Sequence, residues 1–221
     1  MPHELPLAAD RSQGPVTGIL ERPAGAFALC VLAHGAGADM RHRFMQAMAD
    51  ALEAAGVATL RFNFPYIENG RRSPDPAPFL QEAWRAAFAA ASARAKGEPV
   101  WAGGKSLGGR IASMAVADGM PAAGLVFLGY PLHPPGKPER IRDEHLYRVD
   151  VPMIFVEGTR DVFATPDLLA GVIAKLGVRA TLISIDGGDH SFNVKGARRD
   201  PREIAAALAK PVAAHIRERT T

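Results

Sequence analysis

Gly104-Lys105-Ser106-Leu107-Gly108 is a G-x-S-x-G pentapeptide between a β-type run, Val100 to Gly103, and an Ala- and Met-rich segment of helical character. That strand–turn–helix setting is the one a nucleophile elbow requires. A serine held in strained backbone at a sharp turn leaves no room for side chains two positions before and after it, which explains the two glycines. The helix that follows points free N–H groups towards negative charge developing beside Ser106. The implied chemistry is nucleophilic attack by a hydroxyl. Gly104-Lys105-Ser106 also has the ending of a phosphate loop, but that pattern needs glycine where the chain has Pro99.

Such a serine needs a base, and the base needs an orienting acid. In elbow enzymes these follow in the order Ser, acid, His, each on a loop after a later strand. Asp161 stands just beyond the run Met153-Ile154-Phe155-Val156, and His190 holds the same position after the run Ala180 to Ile185. The three residues are spaced by about one helix plus one strand, so all would converge at the carboxyl ends of parallel strands. Asp186 and Asp189 flank His190 too closely to face it and are read as shaping its loop. His3, His42, His133, His145 and His215 lack the strand-end setting and are read as surface or packing residues.

The remaining part is a cradle for an oxyanion. His34-Gly35-Ala36-Gly37-Ala38-Asp39-Met40 follows the first long apolar run, and its small residues let N–H groups turn inward. The expected donors are the N–H groups of Ala36 and Leu107, with Gly37 as the alternative. His34 is read as holding this loop by hydrogen bonds. Tyr66, Lys105, Tyr130 and Phe163 are the candidate substrate contacts, with Phe64 and Leu132 as further lining. Arg61, Arg71, Arg72 and Lys105 are the cations that would favour an anionic substrate.

These residues require a scaffold, and the chain's alternation supplies one. Strand-like runs cover Ala28 to Ala33, Val57 to Phe62, Val100 to Gly103, Leu125 to Leu128, Met153 to Val156 and Ala180 to Ile185. Between them, Phe44 to Ala55, Ala77 to Lys96, Leu107 to Asp118, Pro166 to Leu176 and Pro201 to Arg217 are rich in helix formers. Thr165 before Pro166 reads as a helix cap, Asp200-Pro201 as a similar start, and Gly56 and Gly177 as helix ends. Short apolar runs alternating with helices predict a mostly parallel sheet covered on both faces. The stretch up to Glu21 is expected to add one or two antiparallel edge strands. The irregular stretches Pro65 to Pro78 and Pro131 to Arg140 are expected to rim the site, and residues 1–221 are read as one domain.

Composition excludes other classes. Of 221 residues, 48% are hydrophobic and 22% charged, which rules out wholesale disorder. The net charge is only +3 and the basic residues are scattered, so no nucleic-acid footprint is expected. The one cysteine, Cys30, lies in an apolar run and reads as a buried thiol, not as part of a disulfide scaffold. No apolar run reaches the roughly 18 residues of a membrane helix, and Met1 to Pro6 lacks the form of a signal peptide. The expectation is a cytoplasmic protein without membrane contact.

The segments Leu60-Arg61-Phe62-Asn63-Phe64-Pro65-Tyr66, Gly103 to Arg110, His34 to Met40 and Gly188-Asp189-His190-Ser191-Phe192 together resemble the α/β-hydrolases. More narrowly, they resemble small hydrolase-like proteins of the KANL3/Tex30 type and dienelactone-hydrolase relatives. The resemblance implies a mostly parallel twisted sheet of about eight strands, and Ser106, Asp161 and His190 as a triad. Only Gly129 to Val151 is free to hold a cap, with one short helix around Glu139 to Tyr147, so little or no cap and an open site are expected. The expected function is hydrolysis of a small-molecule carboxylic ester or thioester through an acyl-enzyme, with no cofactor and no metal. A weakly catalytic binding or scaffold domain and an acyltransferase are the alternatives.

Overall fold

The computed structural model describes residues 3–7, 16–196 and 199–220. The apolar runs become one sheet of eight strands: β1 (His3–Leu7), β2 (Val16–Glu21), β3 (Ala28–Ala33), β4 (Val57–Phe62), β5 (Val100–Lys105), β6 (Leu125–Leu128), β7 (Met153–Gly158) and β8 (Ala180–Ile185). Their spatial order is β1-β2-β4-β3-β5-β6-β7-β8. β2 runs antiparallel to β1 and β4, and every other pairing is parallel. The helices are α1 (Arg43–Ala54), α2 (Pro65–Glu68), α3 (Ala77–Ser92), α4 (Leu107–Ala117), α5 (Pro166–Leu176) and α6 (Pro201–Thr220).

β3 shows why its run is apolar throughout. Leu29, Val31 and Ala33 enter a core shared with Trp84 of α3 and Ile111 of α4. Ala28, Cys30 and Leu32 enter the opposite core with Met48 of α1 and Leu208 and Val212 of α6. Successive side chains leave opposite faces of a strand, so helices on both faces demand a continuous hydrophobic run. Burial raises the Cys30 thiol to about 12, keeping it uncharged.

Several local expectations needed revision. Lys105 belongs to β5, so strand passes to helix through Ser106 alone. α3 stops at Ser92, short of Lys96, and the four-residue α2 lies inside a stretch read as irregular. The helix placed around Glu139 to Tyr147 is a 3-10 turn over Glu144–Arg148. Thr165 precedes α5 without capping it through its side chain, because its hydroxyl is paired with Nε2 of His133 at 2.8 Å. Asp200 does cap α6: its Oδ1 accepts the Arg202 N–H at 2.8 Å.

Candidate active site

β5 and α4 meet at one residue, Ser106, with φ 50° and ψ −115°. A non-glycine residue there stores about 1–3 kcal/mol of backbone strain. The surroundings impose that geometry. The Ser106 N–H donates to the Leu128 carbonyl at 3.1 Å, and β3 crowds the elbow from the other side. A methyl group on Gly104 would come 2.1 Å from the Ala33 oxygen, and one on Gly108 would come 2.3 Å from it. The glycines of the motif are therefore a matter of contact with β3 as well as of turn geometry.

The loops after β7 and β8 are locked together. The Arg160 N–H donates to the Gly188 carbonyl at 2.8 Å, and a methyl group on Gly158 would strike that oxygen at 2.3 Å. Asp189 shapes the second loop, its Oδ1 accepting the N–H groups of Ser191 and Asn193 at 2.8 and 2.9 Å. The result brings His190 Nδ1 to 2.5 Å from Asp161 Oδ2, and His190 Nε2 to 2.9 Å from Ser106 Oγ. Asp161 is 4% exposed, and its Oδ1 accepts the Phe163 N–H at 2.8 Å. Burial alone would raise its carboxyl, but His190, Glu157 and the Phe163 N–H favour the charge and hold it below the usual carboxylate range. With Asp161 charged, the network assigns the imidazole proton to Nδ1 and leaves Nε2 to accept from the hydroxyl.

The His34 loop stands beside this chain of hydrogen bonds. A methyl group on Gly35 would lie 3.5 Å from the Ser106 Cβ. His34 is fully buried; Nδ1 donates to the Gly35 carbonyl at 2.9 Å and Nε2 accepts the Phe64 N–H at 3.2 Å. Burial lowers its imidazole, so it holds the loop as a neutral ring. Among the described residues, the N–H groups of Ala36, Gly37 and Leu107 have no acceptor in the protein. Ala36 and Gly37 line a 680 Å³ cavity together with Ser106 and His190.

The same cavity corrects part of the expected substrate contacts. Phe163 lines it, its ring centroid 4.3 Å from that of His190. Lys105 also lines it, but its Nζ is buried away from solvent. Tyr66 does not line it: the side chain is fully buried against His34 and Phe64. Tyr130 does not either, because its ring packs on Phe127 and Phe155 and its hydroxyl donates to the Arg142 carbonyl at 2.9 Å. Phe64 and Leu132 are likewise core residues. Arg61 is buried against Glu21 and Arg71 is paired with Asp75, which takes both out of reach of an anion in this cavity. Arg72 lines a neighbouring groove.

Sequence reasoning missed the far wall. It is built from His42 and the first turn of α1 (Arg43, Phe44, Met45), from Asn193 and Arg199 ahead of α6, and from Ile204 in its first turn. The available signal was adjacency, since these segments follow directly on the His34 loop and on His190. No lining residue comes from 129–152, so the Pro131 to Arg140 stretch does not rim the cavity. His133 and His145 make side-chain bonds to Thr165 and Ser113 instead, and the His3 side chain lies outside the described residues.

Glu157, Asp161 and His190 are the one group among the described residues spaced to hold a metal ion. Both imidazole nitrogens are already engaged, so an ion there would take the hydrogen-bonded chain apart. No described helix is long and apolar enough to cross a membrane.

The fold is shared with solved structures of low sequence similarity. An alpha-beta serine hydrolase homologue from Coxiella burnetii superposes with a TM-score of 0.75 at 17% identity, over 96% of each chain. An α/β serine hydrolase without lid from Xanthomonas campestris gives 0.75 at 20% identity, over 97% of this chain and 94% of that one. A dienelactone hydrolase from Anabaena variabilis gives 0.73 at 21% identity, over 96% of each chain. The sequence profile of the family described as Alpha/beta hydrolase domain matches residues 26–217, and the chain belongs to that family.

Proposed function

We propose that the protein is a serine hydrolase of small carboxylic esters or thioesters. The observation that carries this reading is the unbroken chain from Ser106 Oγ through His190 to Asp161 at the wall of an open cavity. Ser106 attacks the carbonyl carbon while His190 Nε2 takes the hydroxyl proton. Asp161 holds the imidazole in the required tautomer and balances its positive charge. The N–H groups of Leu107 and Ala36, or Gly37, receive the carbonyl oxygen as it becomes an oxyanion. His190 then gives its proton to the leaving group, and water, deprotonated by the same imidazole, frees the acyl group.

The cavity wall also bears on substrate charge. Arg43 and Arg199 line it, and no Asp or Glu does among the described residues. An ester with a second, negatively charged group therefore suits it better than a cationic one.

The test pairs a fluorophosphonate probe with p-nitrophenyl acetate hydrolysis. Wild type should be labelled and active, Ser106→Ala should not be labelled, and turnover should fall about 10⁴-fold or more in Ser106→Ala and His190→Ala. A folded wild type that neither labels nor hydrolyses an acyl panel would reject this reading.

A further inference from the structure

Behind the imidazole lies a second acid that the mechanism above does not use. Glu157, the penultimate residue of β7, is 3% exposed. Its Oε2 accepts the Tyr130 N–H at 2.7 Å, while Oε1 meets no donor in the protein. Glu157, Asp161 and His190 each bring a carboxyl oxygen or ring nitrogen within 4.8 Å of the others. Opposite stands Lys105, whose buried Nζ has no hydrogen-bond acceptor and lies 5.5 Å from the Phe192 ring centroid. A methyl group on Gly129 would touch that Nζ at 2.7 Å and His190 Cε1 at 3.4 Å, so ammonium and imidazole are near neighbours.

Two carboxyl groups this close, away from water, do not both ionise at neutral pH. Asp161 keeps the charge, because it accepts from both the imidazole and the Phe163 N–H, whereas Glu157 has one backbone donor. Burial, and then Asp161, raise the Glu157 carboxyl well above its usual range. Burial lowers Lys105 to about 8, and the negative charges of Asp161 and Asp189 oppose that fall whether or not Glu157 is ionised. With Lys105 protonated, a negative Asp161 and a neutral Glu157 leave this buried group without net charge. An ionised Glu157 would leave it negative.

Resting on the hydrolase reading above, we propose that Glu157 is a positioning residue: its carboxyl group keeps a proton on Oε1 and offers it to Asp161 as a hydrogen bond. Asp161 is then steered by donors on several sides and presents a single charge to His190. The titratable and charged groups around Glu157 are Lys105, Asp161, His190 and, farther off, Asp189.

Glu157→Gln and Glu157→Ala test this. The glutamine amide can donate to Asp161 and its carbonyl can accept the Tyr130 N–H, so it mimics the protonated acid at every pH. Alanine supplies neither. We expect Glu157→Ala to lower kcat/KM about ten-fold, and Glu157→Gln to recover it to within about three-fold of wild type. We also expect the acid-side midpoint of the kcat/KM profile to stay in place in Glu157→Gln. A downward move there would mean that wild-type Glu157 is charged, since the substitution would then have removed a negative charge beside the imidazole. That result, or equal losses in both variants, overturns the proposal. Infrared difference spectra of wild type against Glu157→Gln at pH 7 need neither turnover nor the alanine variant. A protonated-carboxyl band lost in the variant supports the proposal, and its absence from wild type overturns it. Failure of the hydrolase reading would instead show as wild type inert to probe and ester.

Discussion

Gly108, at the start of α4, lies so close to Ala33 at the end of β3 that a single methyl group would come within 2.3 Å of the Ala33 carbonyl oxygen. The Gly108 carbonyl is in turn held by the Trp84 Nε1–H of α3 at 3.1 Å. The elbow is thus clamped between a strand and a second helix. Gly108→Ala should lower stability by several kcal/mol, about 3 or more, through overpacking against backbone. Gly171, an exposed position in α5 with nothing within 4 Å of a built methyl group, is the control. Gly171→Ala should raise stability by about 0.5–1 kcal/mol. Urea unfolding measures both, and equal effects would contradict the close-contact argument.

Met40 closes the His34 loop, and both of its peptide groups are held from β4 and the residue after it. Its N–H donates to Asn63 Oδ1 at 2.8 Å, and its carbonyl accepts Arg61 Nη1 at 2.7 Å. Asn63→Ala should loosen the loop carrying Ala36 and lower kcat/KM about three- to ten-fold, at a cost of about 1 kcal/mol in stability. Arg61→Met should act mainly on folding. It would strand Glu21, now paired with Arg61 at 2.7 Å and 7% exposed, and cost about 3–5 kcal/mol. Parallel unfolding and rate measurements separate the two effects.

Acid should weaken the fold before the carboxylates titrate. Burial, with Arg110 and Arg148 nearby, lowers His145 to about 4. The folded chain therefore refuses a proton that the unfolded chain accepts below the ordinary value of 6.5. Stability should be full above that value and fall as pH drops towards 4. His34 and His215 shift in the same direction, so His145→Gln should flatten the slope only in part. Glu157 acts in the opposite sense, since its raised carboxyl makes its contribution decline as pH rises above 4.5. Urea midpoints across this range check the sign, and an unchanged slope in His145→Gln would contradict the assignment.

Arg43 and Arg199 should favour esters that carry a carboxylate over neutral esters of equal size. Arg43→Gln and Arg199→Gln should each lower kcat/KM for the anionic ester about three- to ten-fold and leave the neutral one nearly unaffected. Added salt should erode the same preference. Equal rates for both ester types in wild type would contradict it.

The strands were legible because burial on both faces writes them as uninterrupted apolar runs, and β3, β4, β6 and β8 fall where the sequence places them. Ser106, Asp161 and His190 were legible as a meeting point because each stands at the carboxyl end of such a run. Tyr66 and Tyr130 were misplaced because residue type does not say to which side of a loop a ring turns. One is drawn inward by His34 and Phe64, the other by Phe127 and Phe155. α2 escaped because four residues carry no helical period. Glu157 escaped because one acid at the end of an apolar run reads as the strand's edge. Its setting depends on Asp161, in the loop directly after its own strand, and on Lys105, brought to it from β5 by the sheet.

The segment between β6 and β7 folds flat against α4 through the His145–Ser113 bond and leaves the cavity uncovered. On the proposed reading, a substrate would reach Ser106 without that segment having to move. An acyl group attached to a chain much bulkier than the cavity, or displayed on a polymer, could be offered to Ser106 end-on while its carrier stays outside.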